Sequence, residues 1–593
     1  MTHMLMPVEA VLPPSSVLGT GLLRREWRLA MTVCAFTAFS LSPLLPFSLS
    51  AQDRAWWDSL PPAAAPHISW TRQSRYLPMP DGVRLAVDRY LPEGASATHR
   101  VPTILHLTRY HRGLRFSDPV REAAAGPGFG LMSFLQAGYA VVVVDVRGTG
   151  ASFGTRTVEF SPEEVHDGWG ILDWIVGQPW SDGGVGATGI SYPGTTAELI
   201  GTIGHPALKA VAPLFSIYDF YDDVTHPGGI LLEPFMRTWA GMTAQMDADQ
   251  FDRLNTAVTG VRPVDGPAGD SLLALAIAEH VRNASLWELV SQITSRDDTT
   301  REGFTLDMVS PHARYDTLSH RIPIYSMGGW ADGFAAAPID RFVEQPSPGS
   351  RLTMGPWNHG GGWAYYPGQG PVRSQFDQQG ELLRFFDHYL RGRSTGIDHE
   401  PPVHYFTTGS NEWRSADRWP ITTHDTGSFH GPGIPDNPTF GLSINPTLGT
   451  GNQSRWNTIL GGGAVRYPVR QRGDTVGQLQ LQMFGPLQEP LTVTGRARVF
   501  LTLDSAHPGA TLFVYLEEVD ASGAGVMITE GEHLVGDQAS VEVELLPVSH
   551  QFRRGSIIRL VVTRRDVNHF HVDSGDREPI QLRRHGLILP VER

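Results

Sequence analysis

The sequence predicts an α/β domain that carries an inserted helical cap and is followed by a C-terminal β-sandwich of the jelly-roll type. Residues 67–215 and 320–395 alternate apolar strand-like runs with amphipathic helical stretches, which is typical of a mostly parallel sheet covered on both faces. Residues 216–319 contain helical patterns without strands, so we expect them to form a cap over the strand ends. Residues 400–593 hold short alternating strands separated by turn residues, which predicts the sandwich.

The first region is expected to begin with an antiparallel hairpin, because residues 84–90 alternate apolar and polar side chains after the turn Pro80-Asp81-Gly82. Buried strands are then predicted at residues 103–107, 139–144, 185–190, 207–215, 322–327 and 351–354. Helical spacing predicts helices at residues 132–137, 163–176 and 381–391, and in the cap at residues 271–281 and 285–293.

The C-terminal region is predicted to contain no helices. Its strands are expected at residues 403–407, 478–483, 497–503, 511–519, 540–545, 557–562 and 587–589. No internal repeat is visible along the chain.

Length and charge limit the range of functions. A chain of 593 residues is too long for one hydrophobic core, so several domains are expected. The formal net charge of −14 and a pI near 5.9 argue against nucleic acid as a partner. The one cysteine, Cys34, lies within the first 50 residues, so neither a disulfide nor a thiol nucleophile is expected after them.

Residues 1–50 have the pattern of a signal peptide. A basic region around Arg24 precedes the apolar residues 29–49, and small residues lie before a cleavage point at residue 51. A membrane anchor is the alternative, but serine, threonine and proline dilute the apolar stretch. We therefore expect a secreted or periplasmic protein without stable membrane association after cleavage, with an N-terminal arm at residues 51–66.

A candidate nucleophile lies in the stretch VGATGISYPGTT at residues 185–196. An apolar strand ends before Ser191, which lies between Gly189 and Gly194, and a helical pattern begins after it. A strand, a sharp turn with a serine at its tip and a helix form a nucleophile elbow, whose turn leaves no room for side chains at the flanking glycines. A glycine-rich turn without chemistry is the alternative, because Pro193 holds the place of the second glycine in the simpler motif.

Two further residues follow predicted strands in the chain order Ser, Asp, His of an α/β-hydrolase. Asp332 follows residues 322–327 in GGWADGF, and His359 follows residues 351–354 in GPWNHGG. A serine hydroxyl needs an imidazole to take its proton, and the imidazole needs a carboxylate to fix its tautomer. Ser191, Asp332 and His359 are therefore the predicted catalytic residues.

Other aspartate and histidine residues are candidates for the same roles. Asp316 and Asp340 are weaker candidates than Asp332, because neither directly follows a strand in a glycine-rich loop. His388 lies within an amphipathic helix, where a surface or packing role is expected.

A serine hydrolase also needs two hydrogen-bond donors aimed at the oxyanion of the tetrahedral intermediate. The backbone N–H of Tyr192, directly after the candidate nucleophile, is the first predicted donor. The phenol of Tyr110, at the end of the strand at residues 103–107, is the second. A purely packing role for Tyr110 is the alternative.

No metal site and no cofactor are expected. His569, His571 and Asp573 alternate and would share one face of a strand, but a fourth zinc ligand is not evident, so a structural role is favoured. The glycine-rich residues 145–154 lack the lysine of a phosphate-binding loop and are interpreted as a structural loop.

Several motifs together resemble the α/β-hydrolase family of cocaine esterase, glutaryl-7-aminocephalosporanic acid acylase, α-amino-acid ester hydrolases and X-prolyl dipeptidyl peptidases. They are DVRGTGASFG (145–154), PWSDGGVGATGISYPG (179–194), GGWADGF (328–334), GPWNHGG (355–361), VYLEEVDASG (514–523) and LILP (587–590). The resemblance spans residues 67–593 and implies a catalytic α/β domain, a helical cap and a C-terminal jelly roll. It also implies a triad of Ser191, Asp332 and His359, with Tyr110 and Tyr192 as the oxyanion hole.

The substrate pocket departs from this family in one respect. α-Amino-acid ester hydrolases carry further carboxylates close after the triad aspartate, whereas Phe334 and Ala335 stand there in this sequence. Asp222 and Asp223 remain as acidic candidates, and Trp330 and Phe334 are the other expected substrate contacts. The incomplete acidic set favours substrates without a free α-ammonium group.

The sequence therefore predicts a serine hydrolase that cleaves an acyl ester or amide through an acyl-enzyme. An X-Pro dipeptidyl peptidase is the alternative among enzymes, and a ligand- or glycan-binding protein with an inactive hydrolase domain is the alternative of another class. The expected partner is a small ester, amide or short peptide, and the sequence leaves a homo-oligomer open.

Overall fold

The computed structural model describes residues 69–592 apart from 129, 252–256, 316–321, 422–423, 430–439, 462, 475 and 572–578. The predicted signal peptide at residues 1–50 and the arm at 51–66 lie outside the described residues, as do Asp316 and Asp573. Along the part of the chain that is described, no helix is both long and apolar enough to cross a lipid bilayer.

The strands of the N-terminal region are numbered along the chain. They are β1 (Trp70–Pro78), β2 (Arg84–Pro92), β3 (Val101–Thr108), β4 (Leu114–Phe116), β5 (Ala140–Asp145), β6 (Ser181–Ile190), β7 (Leu208–Leu214), β8 (Val258–Val261), β9 (Tyr325–Gly329), β10 (Arg351–Gly355), β11 (Trp363–Ala364), β12 (Val372–Arg373), β13 (Val403–Thr407) and β14 (Glu412–Ala416).

Ten of these strands form one sheet in the order β1-β2-β5-β3-β6-β7-β9-β10-β13-β14. The seven strands from β5 to β13 run parallel to their neighbours, and antiparallel strands close both edges. The sequence-based prediction of a mostly parallel sheet that begins with a hairpin is therefore confirmed. In such a sheet the loops after the carboxyl ends of the parallel strands gather at one edge, which is where a site is expected.

One strand predicted for the sandwich lies in the first sheet instead. Residues 403–407 form a strand as predicted, but β13 pairs in parallel with β10 of the first sheet and does not belong to the sandwich. A five-residue alternating run specifies a strand but not its partner, because any edge with a free ladder can accept it. The strand predicted at residues 322–327 lies slightly later, at β9.

The helices before the C-terminal region are α1 (Pro119–Ala123), α2 (Met132–Gln136), α3 (Pro162–Val176), α4 (Tyr192–Gly201), α5 (Glu233–Asp247), α6 (Gly269–His280), α7 (Leu286–Val290), α8 (Ala337–Glu344) and α9 (Gln378–Arg391). Helices such as α3 and α9 cover the two faces of this sheet. Alternate residues of β5 enter different cores. Val142 and Val144 join the core that contains Leu172 of α3, whereas Val141 and Val143 join the core that contains Phe386 of α9.

The predicted cap contains α5, α6 and α7 together with several shorter helical turns. It is not free of strands, because β8 pairs antiparallel with β4, which lies in the loop after β3. This two-stranded ribbon joins the cap to the segment that follows Arg112. The region predicted as helical therefore also has a backbone connection to the first domain.

The C-terminal region is built from strands, with one short helix, α10 (Arg455–Gly461), that the sequence-based prediction lacked. Its strands are β15 (His424–Phe429), β16 (Phe440–Leu442), β17 (Arg470–Gln471), β18 (Gln478–Phe484), β19 (Leu491–Gly495), β20 (Arg498–Leu503), β21 (Thr511–Val519), β22 (Ala524–Leu534), β23 (Ser540–Glu544), β24 (Val548–Phe552), β25 (Ile557–Thr563) and β26 (Ile580–Val591).

These strands form two antiparallel sheets. One has the order β23-β20-β26-β19-β24, with β15 and β16 also paired to β26, and the other has the order β17-β22-β21-β25-β18. Leu501 of the first sheet and Leu516 of the second belong to the same buried core, so the two sheets pack face to face. The sandwich is confirmed, and its jelly-roll connectivity stays a prediction.

Candidate active site

Ser191 lies at the tip of a strained turn between β6 and α4. Its backbone has φ 65° and ψ −127°, a left-handed conformation that a residue with a side chain adopts only when its surroundings enforce it. The N–H of Ser191 donates to the carbonyl of Leu214 on β7 at 2.9 Å, which ties the turn to the neighbouring strand. The side chain is half-buried at the carboxyl edge of the sheet.

The glycines beside Ser191 are required by close packing. A Cβ atom on Gly189 would lie 2.3 Å from the Cβ of Pro193, and one on Gly194 would lie 2.7 Å from the carbonyl oxygen of Gly189. Both distances are far below van der Waals contact. The prediction that the turn excludes side chains at its flanks is confirmed.

Asp332 and His359 are brought together from the ends of two adjacent strands. Asp332 follows β9, His359 follows β10, and the imidazole Nδ1 is 3.0 Å from the Oδ1 of Asp332. Asp332 is completely buried and His359 is 7% exposed. A buried carboxylate on Nδ1 holds the imidazole as the tautomer whose Nε2 can accept a proton.

The two loops are also joined through their backbones. The N–H of Trp330 donates to the carbonyl of Gly355 at 2.9 Å, and the N–H of Ala331 donates to the carbonyl of Trp357 at 3.0 Å. A Cβ on Gly329 would lie 2.2 Å from the carbonyl oxygen of Trp357, so the loops are in direct contact. The separation of Asp332 and His359 is therefore fixed by the sheet and not by the side chains alone.

The loop of His359 also lies beside the residue that precedes Ser191. A Cβ on Gly360 would be 3.7 Å from the Cγ2 of Ile190. Among the described residues, no hydrogen bond joins the hydroxyl of Ser191 to His359. Bonds between a nucleophile and its base are often long without substrate and tighten when it binds.

The C-terminal region contacts the same loops. Asn358 directly precedes His359, and its side-chain amide donates to the carbonyl of Gly463 at 2.8 Å. A Cβ on Gly333, next to Asp332, would lie 2.3 Å from the Cδ1 of Ile459 on α10. The segment around α10 therefore packs against both loops of the candidate triad.

Tyr110 and Tyr192, the two predicted oxyanion-hole residues, lie next to each other. Their rings make an edge contact with centroids 6.0 Å apart. Tyr192 is the first residue of α4, where backbone N–H groups have no acceptor within the helix, so its N–H can donate to a developing negative charge. The hydroxyl of Tyr110 accepts a hydrogen bond from the indole Nε1 of Trp239 on α5 at 3.1 Å.

The side chain of Tyr192 has a different role from its backbone. Its hydroxyl donates to both carboxylate oxygens of Glu164 on α3, at 2.8 and 2.9 Å, and its ring stacks on Phe160 with centroids 4.1 Å apart. Burial raises the pKa of Glu164 to about 8 and holds the pKa of the Tyr192 phenol well above its usual range. These contacts fix the start of α4 behind the nucleophile.

A buried charge network joins the first domain to the cap beside Tyr110. Arg109 is 2.9 Å from Glu159 and 2.8 Å from Asp247, and Arg156 bridges the same two carboxylates at 3.1 and 3.0 Å. Burial favours the neutral form of Asp247, but the two guanidinium groups outweigh it and lower its pKa to about 2. Asp247 is the last residue of α5, so this network holds one end of the cap helix.

Comparisons with known proteins identify the families to which this chain is related. Residues 81–361 match the family model of the X-Pro dipeptidyl-peptidase (S15 family). Residues 395–584 match the model of the X-Pro dipeptidyl-peptidase C-terminal non-catalytic domain. A Mycobacterium bovis protein described as a serine esterase is 38% identical over 600 residues, which cover 88% of this chain and 95% of that protein.

The chain belongs to the S15 family. A more distant relative is the cocaine esterase of a Rhodococcus strain, which is 27% identical over 82% of this chain and 89% of its own length. Among solved structures, an α-amino acid ester hydrolase superposes with a TM-score of 0.65 at 21% identity, covering 93% of this chain and all of that chain. The relatives are hydrolases, and this S15 chain is a serine hydrolase with the α/β-hydrolase fold.

The acidic residues proposed for substrate binding in this S15 chain have other partners. The carboxylate of Asp223 is buried and accepts from the backbone N–H groups of Tyr218 and Asp219 at 2.8 and 2.7 Å. Asp222 is exposed and pairs with Arg296 at 2.5 Å. Both contacts stabilise the local chain, and a role for either carboxylate in substrate binding stays a prediction.

Trp330 and Phe334 have different environments, although they flank the same aspartate. The indole N–H of Trp330 donates to the backbone carbonyl of Phe406 on β13 at 2.7 Å, and the ring packs near Trp419. The ring of Phe334 lies edge-on to the imidazole of His359, with centroids 5.3 Å apart. Phe334 therefore lies against the imidazole of the candidate triad, whereas Trp330 contacts β13 and the chain beyond it.

The histidines weighed as zinc ligands bond to separate groups. His569 lies 2.8 Å from the hydroxyl of Ser454 and 2.9 Å from the carbonyl of Gly451. His571 is 2.5 Å from a carboxylate oxygen of Glu233 at the start of α5. These contacts are consistent with the structural role expected from the sequence.

Trp239, Glu164 and Asp247 were not among the sequence-predicted site residues. On α5 the apolar residues Phe235, Met236, Met242 and Met246 recur with helical spacing, and Trp239 belongs to the same pattern. That pattern indicates a packed face but not a bond to a hydroxyl 129 residues earlier in the chain. No sequence signal would have separated these residues from ordinary core positions.

Proposed function

We propose that this chain hydrolyses an acyl ester or amide through an acyl-enzyme formed on Ser191. The observation that carries the proposal is the bond of 3.0 Å between His359 and the buried Asp332, at strand ends adjacent to the strained turn of Ser191. A buried Asp–His pair beside a serine on an elbow is the arrangement that activates a hydroxyl for acyl transfer.

Each step of the proposed reaction uses a group at this edge of the sheet. The Oγ of Ser191 attacks the substrate carbonyl while the Nε2 of His359 takes its proton. The oxyanion accepts hydrogen bonds from the N–H of Tyr192 and the hydroxyl of Tyr110. His359 then gives the proton to the leaving alcohol or amine. A water molecule then attacks the acyl-enzyme by the same steps, with His359 taking its proton, and the acid is released.

The proposal is tested by labelling with a fluorophosphonate and measuring the mass of the intact protein. We expect one adduct on the wild type and no adduct on Ser191→Ala. Full turnover of p-nitrophenyl butyrate by the alanine variant would contradict the proposal. Loss of the adduct without loss of the fold is checked by comparing the thermal unfolding of the two proteins.

Ser505 provides a matched control, since it also lies beside a histidine and an aspartate. In this exposed turn, however, the hydroxyl of Ser505 and the carboxylate of Asp504 both contact the Nε2 of His507, at 3.2 and 3.0 Å. One nitrogen cannot take a proton from the serine while it is held by the carboxylate. Ser505→Ala should therefore keep both the adduct and the activity.

The surroundings of Ser191 favour an acyl group without a positive charge. Phe215 and Phe334 both lie edge-on to His359, with centroids 6.3 and 5.3 Å from the imidazole. The candidate acidic residues Asp222 and Asp223 are engaged by Arg296 and by backbone N–H groups. A free α-ammonium group would thus lack a dedicated carboxylate, so we propose simple acyl esters or amides as substrates.

X-Pro dipeptide release is the second candidate function, because the matching family model describes that activity. Hydrolysis of p-nitrophenyl butyrate and of Gly-Pro-p-nitroanilide separates the two. We expect kcat/KM to favour the ester by at least a hundredfold. Faster cleavage of the anilide, abolished by Ser191→Ala, would favour the peptidase and retain the triad.

We also propose that the protein is exported, on the basis of the basic and apolar pattern of residues 1–50. The expected location is the periplasm or the outside of the cell. N-terminal sequencing of protein recovered from those fractions should begin near residue 51. Uncleaved protein in the soluble cell interior would contradict export.

A further inference from the structure

A tryptophan of the cap donates a hydrogen bond to the candidate oxyanion-hole tyrosine. The Nε1 of Trp239 on α5 is 3.1 Å from the hydroxyl oxygen of Tyr110. Both side chains are half-buried and pack against the core shared by the cap and the sheet. The bond crosses from the cap to the loop after β3, so it exists only when the cap is seated on the first domain.

This bond determines which way the phenol can donate. A phenol carries one proton and can also accept hydrogen bonds, whereas an indole N–H is a donor only. When Trp239 donates to one side of the oxygen, the proton of Tyr110 is directed to the other side. Donation to an oxygen also polarises its O–H bond, which strengthens the hydrogen bond that this group then makes.

The indole is held in place by a charged neighbour of Tyr110. The guanidinium carbon of Arg109 lies 5.1 Å from the centroid of the Trp239 ring, a cation–π distance. Arg109 is itself fixed by Glu159 and Asp247 at 2.9 and 2.8 Å. The guanidinium group of Arg109 therefore contacts the face of the Trp239 ring, while the N–H at the ring edge donates to Tyr110.

The phenol is restrained as well. The backbone N–H of Tyr110 donates to the Oγ1 of Thr108 at 2.9 Å, and the next residue, His111, has a left-handed φ of 73°. The edge of the Tyr110 ring meets the ring of Tyr192, whose backbone N–H is the other candidate donor. With the ring fixed, the hydroxyl hydrogen can still rotate about the C–O bond, and the hydrogen bond from Trp239 restricts this rotation.

We infer that Trp239 is a positioning residue for the oxyanion hole, through which the seated cap orients and polarises the hydroxyl of Tyr110. This inference rests on the proposed function, in which Tyr110 donates to the oxyanion. Trp239 acts through Tyr110 and on the rate of the chemical step, since the oxyanion forms only as Ser191 attacks. The cap therefore contributes to the rate of acyl transfer in addition to covering the pocket.

The test is a double-mutant cycle with p-nitrophenyl butyrate as the probe. Trp239→Phe keeps an aromatic ring beside Arg109 but removes the N–H. We expect kcat to fall about tenfold with KM unchanged, as for the loss of one hydrogen bond. Tyr110→Phe should lower kcat by about a hundredfold or more. Once Tyr110 has lost its hydroxyl, adding Trp239→Phe should cause no further loss.

Trp287 is the matched control, because it is another cap tryptophan with an arginine, Arg237, 3.8 Å from its ring centroid. Trp287→Phe should leave kcat unchanged. Trp239→His, which keeps a ring N–H, should retain more of kcat than Trp239→Phe. If Trp239→Phe does not fold, Trp239→Leu, which also lacks the N–H, takes its place in the cycle, and its losses with and without Tyr110→Phe are compared.

The other outcomes overturn the inference in recognisable ways. If Trp239→Phe raises KM equally with and without Tyr110→Phe, Trp239 lines the acyl pocket and does not act through Tyr110. If Tyr110→Phe has no effect while Ser191→Ala is inactive, Tyr110 is not an oxyanion donor and the inference fails although the triad stands. Activity in Ser191→Ala would instead refute the proposed function itself.

Discussion

Arg109 and Asp247 form a buried ion pair of 2.8 Å that joins the residue before Tyr110 to the last residue of the cap helix α5. The side chain of Arg109 is 1% exposed and that of Asp247 is 6% exposed. Both also bond to the other members of the network, Glu159 and Arg156. Since Tyr110 and Trp239 lie on the two segments that this pair connects, the seating of the cap and the geometry of the candidate oxyanion hole depend on the same contact.

Removal of the charge on Asp247 should destabilise this junction. In Asp247→Asn, the two buried guanidinium groups of Arg109 and Arg156 share the single carboxylate of Glu159. Breaking a buried pair from one side costs roughly 3–5 kcal/mol, because the remaining charge stays desolvated. The free energy of unfolding in urea should fall by that amount, with a loss of esterase activity under native conditions.

An exposed ion pair between the cap and β4 serves as the control for this experiment. Asp270 on α6 pairs with Arg115, and their side chains are 77% and 38% exposed. Asp270→Asn should change the free energy of unfolding by less than about 1 kcal/mol. Equal destabilisation by the two variants would mean that the buried network has no special role.

Asp332→Asn should reduce kcat by about ten-thousandfold while leaving the fold intact. The asparagine keeps the shape of the side chain, but its amide can no longer hold the imidazole of His359 in the reactive tautomer. Asp340→Asn is the matched control, because Asp340 lies on α8 and pairs with Arg496 of the C-terminal region. Esterase assays on both variants decide which aspartate serves the triad.

Gly189→Ala should damage the elbow itself. The added Cβ would lie 2.3 Å from the Cβ and 2.7 Å from the backbone carbon of Pro193, so the start of α4 has to move. We expect a loss of roughly 1–3 kcal/mol or more in stability and a loss of labelling by the fluorophosphonate. Gly184→Ala on the same strand is the control, since its Cβ would meet neighbours at 3.4 Å or more.

Much of the α/β domain could be predicted, because its central strands are long apolar runs with clear ends. Residues 139–144 and 185–190 specify strands by composition alone, and the strand order of a parallel sheet then brings their ends to one edge. The partner of β13 could not be predicted, because pairing depends on which edge is free in the folded chain. Strand β22 was missed since Glu530 and Glu532 are buried in it, with Glu530 paired to Arg455.

The candidate triad could be predicted for a similar reason. Ser191, Asp332 and His359 lie in the loops that follow β6, β9 and β10, so local sequence fixes their place at the sheet edge. The residues beside the candidate oxyanion hole could not be predicted, because each is placed there by a contact between distant segments. Trp239 meets Tyr110 across 129 residues, and Asp247 meets Arg109 across 138.

The buried carboxyl of Glu164 should make the stability of the protein depend on pH. Burial raises its pKa from 4.5 to about 8, so the folded protein keeps a proton that the unfolded chain releases above pH 4.5. The contribution of this group to stability is thus fully present below pH 4.5 and is lost as the pH rises toward 8. Glu164→Gln cannot titrate, so its stability should fall less over this range.

The measurement is the free energy of unfolding in urea at several pH values between 5 and 8.5. The difference between Glu164→Gln and the wild type should change in favour of the variant by up to about 1.4 kcal/mol per pH unit, and should level off above pH 8. Glu163→Gln, at an exposed position in the same turn of α3, should follow the wild type. Parallel pH profiles for Glu164→Gln and the wild type would show that Glu164 is ionised in the folded protein, with its charge stabilised by the hydroxyl of Tyr192.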